Sequence, residues 1–416
     1  MTVAKLVYTA DIHINAGRWG RLDPGTNRND AHNSAYRCWM AVCQYVADTK
    51  PDAFMVGGDL FANARPSPES QEMVADGLKL VPCSVPVIIV PGNHEYLGLP
   101  ARHRHVLRHY AELPNVTVFD EPALHTLTNG VQLGAVPWPR RPHLVSELDL
   151  GTQNPDGIDD MVAALTVEAI GGLAERVDPS RPAILFGHAT IGDAVVGSAK
   201  RGSEMSIRAV FHEPVLPIEA VDEEPWSASL WGHIHKAQTM GQRSRYVGSP
   251  DRIDFSEEGE EKGFAVVDIA ADGTVTVETV PTPARRFRTV RIGDGLDMGP
   301  EADYDADLPV EEGEIVRVVL APGVEVDETA LRSAARSHGV YLTGMSRQPL
   351  QRELKAGQVA VSEGTSMTDG LDLWIIKEGL DQVTANQVRV EARRYIAQLG
   401  IIAPDKAGAT TEKKAA

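Results

Sequence analysis

The chain is poor in cysteine and short of positive charge, and each shortage excludes something. Its three cysteines, Cys38, Cys43 and Cys83, form no motif. An odd number without paired spacing argues against a disulfide framework and for reduced thiols in the cytoplasm. Lys and Arg number 40 against 58 Asp and Glu, a formal net charge of −18. Affinity for a nucleic-acid duplex comes mainly from basic residues on phosphates, so any such binding is local or supplied by a partner. No run of about 20 apolar residues occurs, which excludes a membrane-spanning helix, and no signal peptide precedes the first apolar run. The pattern GxxxxGK[ST] is missing, so no nucleotide-binding P-loop is expected. The 416 residues leave room for two or three domains in a soluble, cytoplasmic protein.

What is present is a set of polar clusters, each placed after a short apolar run. His233 and His235 follow residues 228–231 and Gly232. In an extended backbone alternate side chains share a face, so both rings are expected to point at one centre past the strand end. Four more runs end alike. Residues 6–10 lead into Asp11-Ile12-His13, and 53–56 into Gly57-Gly58-Asp59. Residues 85–90 lead into Pro91-Gly92-Asn93-His94, and 183–186 into Gly187-His188. Short apolar runs bounded by Gly or Pro indicate buried strands, and in α/β sheets sites lie outside the carboxyl ends of the strands. Carboxylate and amide oxygens mixed with imidazole nitrogens suit manganese, iron or zinc better than calcium. No cysteine lies in any cluster, which argues against a structural thiolate zinc site. One carboxylate can bridge two metals about 3.5–4 Å apart. A lone GH or DxH is more often a satisfied core or turn group; five in order point to a dinuclear metal hydrolase.

The pattern DxH…GD…GNH…GH…GHxH resembles the calcineurin-like metallophosphoesterase superfamily, over about residues 1–280. GGDLF followed by Arg65-Pro66-Ser67, then GHIHKAQ, then YVGSPDRIDFSEEGEEKGF at 246–264, resemble the SbcD-type nuclease family, the bacterial counterpart of the Mre nuclease. In that family the last stretch closes the nuclease domain. The resemblance implies an α/β fold: a β-sandwich flanked by helices, a small α+β capping domain and a C-terminal helical segment. It implies that Asp11, His13 and His235 hold one metal, that Asn93, His188 and His233 hold the other, and that Asp59 bridges them. His94 would stand beside the site as proton donor or phosphate-positioning group. Two divalent ions, manganese by preference, would serve 3′-to-5′ exonuclease action on duplex ends and endonuclease action on single strands or hairpins. The resemblance further implies a homodimer, an SbcC-like coiled-coil ATPase partner, and a place in DNA end processing, repair, recombination or replication. Two positions depart from the pattern: Glu95 replaces the Asp of GNHD, and Ala62 follows GDLF where His or Asp is usual. Neither is a primary ligand.

Residues 1–283 are expected to form the nuclease domain, with helices near 35–50, 66–81, 100–110 and 158–177. The second and third of these either make the dimer contact or simply cover the sheet. Arg102, Arg104 and Arg108 lie in the densest basic cluster, close after GNHE, and are candidates for DNA contact; Arg18, Arg21, Arg28, Arg140 and Arg141 are lesser ones. The charge run 257–261 is expected to be a solvated turn. A domain change falls near Pro281-Thr282-Pro283. After it come strands at 285–292 and 314–320 and an acid-capped helix at 327–338. The unit 284–365 matches the family's DNA-capping domain in position. Residues 366–404 carry apolar groups at helical intervals and either grip the partner ATPase or pack on their own domain, and 405–416 read as a disordered tail. Two other functions fit part of this pattern. A phosphatase or phosphodiesterase acting on a smaller substrate needs neither the 130 or so C-terminal residues nor 246–264. A non-catalytic scaffold of the ATPase complex needs no converging ligands.

Overall fold

Apolar residues on successive positions of a strand point to opposite faces, so a continuous apolar run requires cover on both sides. The structure, a computed structural model, supplies that cover with two sheets face to face and helices outside them. It describes residues 2–17, 19–23, 25, 28–96, 105–140, 155–192, 213–296 and 298–347. The cluster residues Arg18, Arg102, Arg104 and Arg141, and the segments 366–404 and 405–416, lie outside the described residues.

The elements run in this order. β1 (Thr2–Thr9) is followed by a small ribbon of β2 (Leu22–Asp23) and β3 (Arg28–Asn29), then helix α1 (Asp30–Thr49). Next come β4 (Ala53–Val56), helix α2 (Pro68–Leu80), β5 (Val87–Ile89) and β6 (Val116–Val118). β7 (Ala123–Thr126) and β8 (Gln132–Val136) precede helix α3 (Pro155–Ala174). β9 (Ala183–His188), β10 (Thr190–Ile191), β11 (Val215–Leu216) and β12 (Ala228–Gly232) follow. The sandwich is completed by β13 (Gln238–Met240), β14 (Ser244–Tyr246), β15 (Gly263–Ala270) and β16 (Val275–Pro281).

One six-stranded sheet has the order β16-β15-β1-β4-β5-β6, the other β13-β14-β12-β9-β8-β7. Leu6, Tyr8, Met55 and Ile88 of the first meet Leu133, Ile184, Phe186 and Leu230 of the second in one core between the sheets. The alternate residues Val7, Phe54, Val56, Val87 and Ile89 face outward, onto Trp39, Val42 and Val46 of α1 and Met73, Val74 and Leu78 of α2. Leu185 and Trp231 likewise face Ile170 and Leu173 of α3. Each fully buried side chain of this size contributes about 1.5–3 kcal/mol, so the seams can carry strained backbone elsewhere.

Within the first sheet β1, β4 and β5 are mutually parallel; in the second β9 and β12 are parallel. The five strands expected from the sequence therefore exist, three on one layer and two on the other. Beyond the sandwich, β17 (Phe287–Ile292), β18 (Ile315–Leu320) and β19 (Tyr341–Arg347) form a parallel three-stranded sheet with its own apolar core. Its helix Glu328–Ser337 is capped by Asp327, whose carboxylate accepts from the N–H groups of Thr329 and Ala330. The helix expected at 100–110 is instead a 3-10 helix at Val106–Glu112, among the described residues of that stretch.

Candidate metal centre

The centre forms where the strand ends bend. Asp11, His13, Asp59 and His233 have φ of 56°, 50°, 53° and 103°, in the left-handed region. Each such residue costs on the order of 1–3 kcal/mol and persists only where its surroundings fix it. Backbone bonds do so here: Asp11 N–H donates to Gly58 O at 3.0 Å, His13 N–H to Asp59 O at 3.0 Å, and Ile14 N–H to Leu60 O at 2.9 Å. The His233 N–H donates to both Asp11 carboxylate oxygens at 3.0 Å. Gly58 and Gly92 permit the close approach. A Cβ on Gly58, at φ 90°, would lie 2.6 Å from His188 Nδ1, and one on Gly92 would lie 2.1 Å from Asp59 Oδ1.

The turn at His233 alters one expectation. With φ 103° the GHIH segment is not extended, so its two rings do not share one face. His235 pairs with His13, ring centroids 4.9 Å apart, whereas His233 packs on His188 at 5.3 Å. The centre thus has two halves with Asp59 between them: its Oδ2 lies 3.6 Å from His13 Nε2 and 3.4 Å from His188 Nε2.

Outer partners decide which nitrogen each ring presents inward. His188 Nδ1 donates to the Gly57 carbonyl at 2.7 Å, leaving Nε2 facing Asn93 Oδ1 at 3.0 Å. His235 Nδ1 is held by Glu257 Oε1 at 3.0 Å, leaving Nε2 facing His13 Nε2 at 3.0 Å. His233 is reversed: Nε2 meets Glu213 Oε1 at 2.9 Å, so Nδ1 is the atom near Asn93 Oδ1, at 3.3 Å. His94 Nδ1 donates to the Ala62 carbonyl at 2.8 Å, and its Nε2 stands 3.9 Å from Asp59 Oδ2.

Acceptor therefore faces acceptor at His188 with Asn93 and Asp59, and the Nε2 atoms of His13 and His235 face each other at 3.0 Å. Such contacts are repulsive unless a cation or proton lies among them. Asp11, His13 and His235, then His13, Asp59 and His94, then Asp11, Asp59 and His188, each bring ligand atoms within 4.8 Å of one another. The donor set fits divalent metal ions with mixed O and N preference. Electrostatics agree. Burial opposes charge on His188, but the Asp59 and Asp11 carboxylates outweigh it and lift the ring to about 9. Burial likewise opposes the Asp59 charge, yet His188, His13 and His94 hold that carboxyl well below its ordinary value. Burial lowers His13 well below its ordinary value.

All seven candidate ligands, Asp11, His13, Asp59, Asn93, His188, His233 and His235, come together with His94 at this place. The departure at Glu95 proves constructive. Its buried carboxylate accepts from the N–H groups of Asp59 at 2.9 Å, Phe61 at 3.0 Å and Gly92 at 2.7 Å, tying two ligand loops together. Burial and the neighbouring Asp59 charge push Glu95 up to about 8, against the pull of those donors. The departure at Ala62 costs nothing on His94, because the backbone carbonyl makes the bond. Arg108 is exposed on the 3-10 helix, and the Arg140 guanidinium lies 4.5 Å from the Tyr96 ring centroid.

The expectation of a solvated turn at 257–261 holds at the exposed Gly259 and Glu261 but fails at Glu257. Glu257 is 5% exposed and bonds His235, and the Lys262 ammonium, also buried, meets Glu257 Oε2 at 2.8 Å. Burial works against the Glu257 charge, but His235 and Lys262 bring its pKa down to about 2. A lysine directly before the apolar run of β15 was the available signal. Glu213 and Trp138 were not anticipated either. Trp138 packs its ring 4.9 Å from His233 and 5.8 Å from His188. Nothing local in the sequence marks Glu213, which also accepts from Thr190 Oγ1 at 2.5 Å.

Comparison with known proteins agrees with this geometry. The family model described as calcineurin-like phosphoesterase matches residues 4–237. The SbcD component of the SbcCD nuclease of Staphylococcus epidermidis is 23% identical over 302 residues, 71% of this chain and 74% of the relative. Its namesake from Rhodobacter capsulatus is 24% identical over 371 residues, covering 82% and 87%. "DNA double-strand break repair protein Mre11" of Methanopyrus kandleri is 22% identical over 400 residues, covering 92% and 77%. No described helix is long and apolar enough to cross a membrane. With its strand-end Asp, Asn and His residues gathered at one centre, the chain belongs to the calcineurin-like phosphoesterase family, and SbcD and Mre11 proteins are among its relatives.

Proposed function

We propose that the protein is an SbcD-like, metal-dependent DNA nuclease of the cytoplasm, acting in DNA end processing. The observation that carries this is the bracing of His235 by Glu257 and Lys262. Those two residues belong to 246–264, the stretch whose sequence resembles SbcD-type nucleases rather than phosphatases of the superfamily. The breadth of the similarity to SbcD and Mre11 relatives, 71–92% of this chain, supports it further.

Asp11, His13 and His235 would hold one divalent ion, and Asn93, His188 and His233 the other, with Asp59 shared. When bound, two such ions, manganese by preference, would polarise a phosphodiester and make a water nucleophilic at neutral pH. The side chains do the rest. Glu95 holds the Asp59 and Asn93 loops at fixed separation through its three N–H bonds. Trp138 shields His188 and His233 on one side. His94 is fixed at Nδ1 by Ala62, while its side chain is 41% exposed, so Nε2 can reach the leaving oxygen and protonate it.

The unit 284–365 would cap DNA, residues 366–404 would bind an SbcC-like coiled-coil ATPase, and two copies would pair. The formal charge of −18 leaves most of the phosphate-binding surface to that ATPase. Arg102, Arg104 and Arg108 would supply a local share.

The test uses end-labelled linear duplex, a DNA hairpin and a phosphomonoester, each with manganese. Release of nucleotides from duplex ends and opening of the hairpin are expected. His94→Ala should retain two ions and bind DNA but cut about 10²-fold more slowly or worse. Brisk phosphomonoester hydrolysis with intact DNA would instead establish the phosphatase.

A further inference from the structure

The one-turn 3-10 helix Phe255–Glu257 and the residue after it face three ways at once. Glu257 faces the metal centre. Its Oε1 holds His235 Nδ1 at 3.0 Å and its Oε2 meets Lys262 Nζ at 2.8 Å. The Lys262 side chain is 1% exposed. It also donates to the His235 carbonyl at 2.9 Å, to Ser249 Oγ at 3.0 Å and to Glu260 Oε2 at 3.0 Å. A buried ammonium so fully occupied fixes the groups around it, since moving any one would leave a buried charge underpaired.

Glu258 turns the opposite way, onto the first strand of the three-stranded unit. Its carboxylate accepts from Thr289 N–H at 2.8 Å and from Thr289 Oγ1 at 2.5 Å. Thr289 Oγ1 in turn accepts from Arg317 Nε on β18 at 2.8 Å, and the Arg317 guanidinium lies 4.6 Å from the Phe255 ring centroid. Phe255 is buried with Phe287 and Ile315, and Trp19 and Tyr341 pack against the group. Its ring meets Phe287 edge-on at 4.8 Å.

Two consecutive carboxylates on one short turn thus grip a metal-site histidine and a strand of the neighbouring unit, with an aromatic anchor between. We infer that the Phe255–Glu257 turn couples docking of the β17–β19 unit to the His235 half of the centre, with Glu257 as a positioning residue for His235. The inference rests on the metal-centre reading above. A displacement of β17 would be carried through Glu258 and Phe255 to Glu257, and from there to the Nε2 lone pair of His235. Coupling between two equilibria is reciprocal, so metal binding must also tighten the docking.

Hydrogen exchange read by mass spectrometry on the full chain, with and without manganese, tests this, alongside metal content by elemental analysis. In the wild type manganese should slow exchange in 287–292 by about fivefold or more. Glu258→Ala touches no ligand. It should keep two ions and the slowing around 233–235, yet lose the slowing at 287–292. Thr289→Ala cuts the same chain farther from the centre and gives the same readout should the first variant fail to fold. Exchange at 287–292 that ignores manganese in the wild type overturns the coupling, as does slowing that survives in both variants. A wild type that binds no manganese sinks the metal-centre reading itself, and the elemental analysis tells that case apart.

Discussion

On one side of the centre His235 leans on Glu257, and Glu257 on Lys262, both beyond the stretch matched by the family model. On the other side His188 leans on the carbonyl of Gly57, part of a strand end that the sheet itself holds. His233, on that same side, is the intermediate case: a side chain, Glu213, holds it, and Glu213 stands just before the β11 strand. The contrast teaches where adjustment is possible. A backbone-held ligand can be moved only by moving a strand, and a Cβ at Gly58 would collide with His188 before anything subtler happened. A side-chain-held ligand can be retuned by one substitution, or by whatever moves the turn that carries it.

The largest expected effect removes the residue both halves share. Asp59→Ala should lose both ions and abolish hydrolysis of a generic phosphodiester, by on the order of 10³-fold or more, while the fold persists. His235→Ala should lose one ion only. Elemental analysis beside an activity assay reads both, and near-normal activity in Asp59→Ala would break the two-half description.

A smaller effect separates the halves by their supports. Glu257→Gln should weaken manganese binding at the His235 half by about 10- to 100-fold, and Glu213→Gln should do the same at the His233 half. Calorimetric titration should show one site weakened and the other unchanged in each variant. Equal weakening of both sites in either variant would mean that the halves are not separately held.

How much of this was legible beforehand follows the same divide. The five strands and the polar clusters at their ends could be read from sequence, because short apolar runs that stop at Gly or Pro need little tertiary context; the division of those residues into two ligand sets came from the family resemblance. The supports could not. Glu257 sits in a run of acidic residues that looks solvated until Lys262 and His235 fold around it, and Glu213 has no local pattern at all. The turn at His233 was also invisible, because alternation along a strand says nothing of a residue that has just left one. Glu95 looked like a departure from pattern, yet its longer side chain still reaches three N–H donors.

The smallest expected effect is one of pH. His188, ordinarily near 6.5, is raised to about 9 by Asp59 and Asp11 despite burial, and Glu95 is raised to about 8 by burial and Asp59. A group whose folded pKa is raised stabilises the fold fully below its unfolded value and loses that contribution as pH climbs through the folded one. Metal-free protein should therefore melt at progressively lower temperature from about pH 4.5, where Glu95 begins to lose its contribution, to about pH 9, where His188 has lost its own. Manganese replaces the His188 proton as the countercharge, so saturating metal should flatten that trend. Melting curves in chelator and in manganese at matched pH would show it; a parallel fall in both would assign the trend to groups away from the centre.

The most direct measurement is anomalous diffraction from crystals grown with manganese. The account predicts two peaks per chain, astride Asp59. One should be bonded to Asp11, His13 and His235 through its Nε2, the other to Asn93, His188 through its Nε2 and His233 through its Nδ1. A single peak, or an ion bonded to His233 through Nε2 with Glu213 displaced, would contradict it.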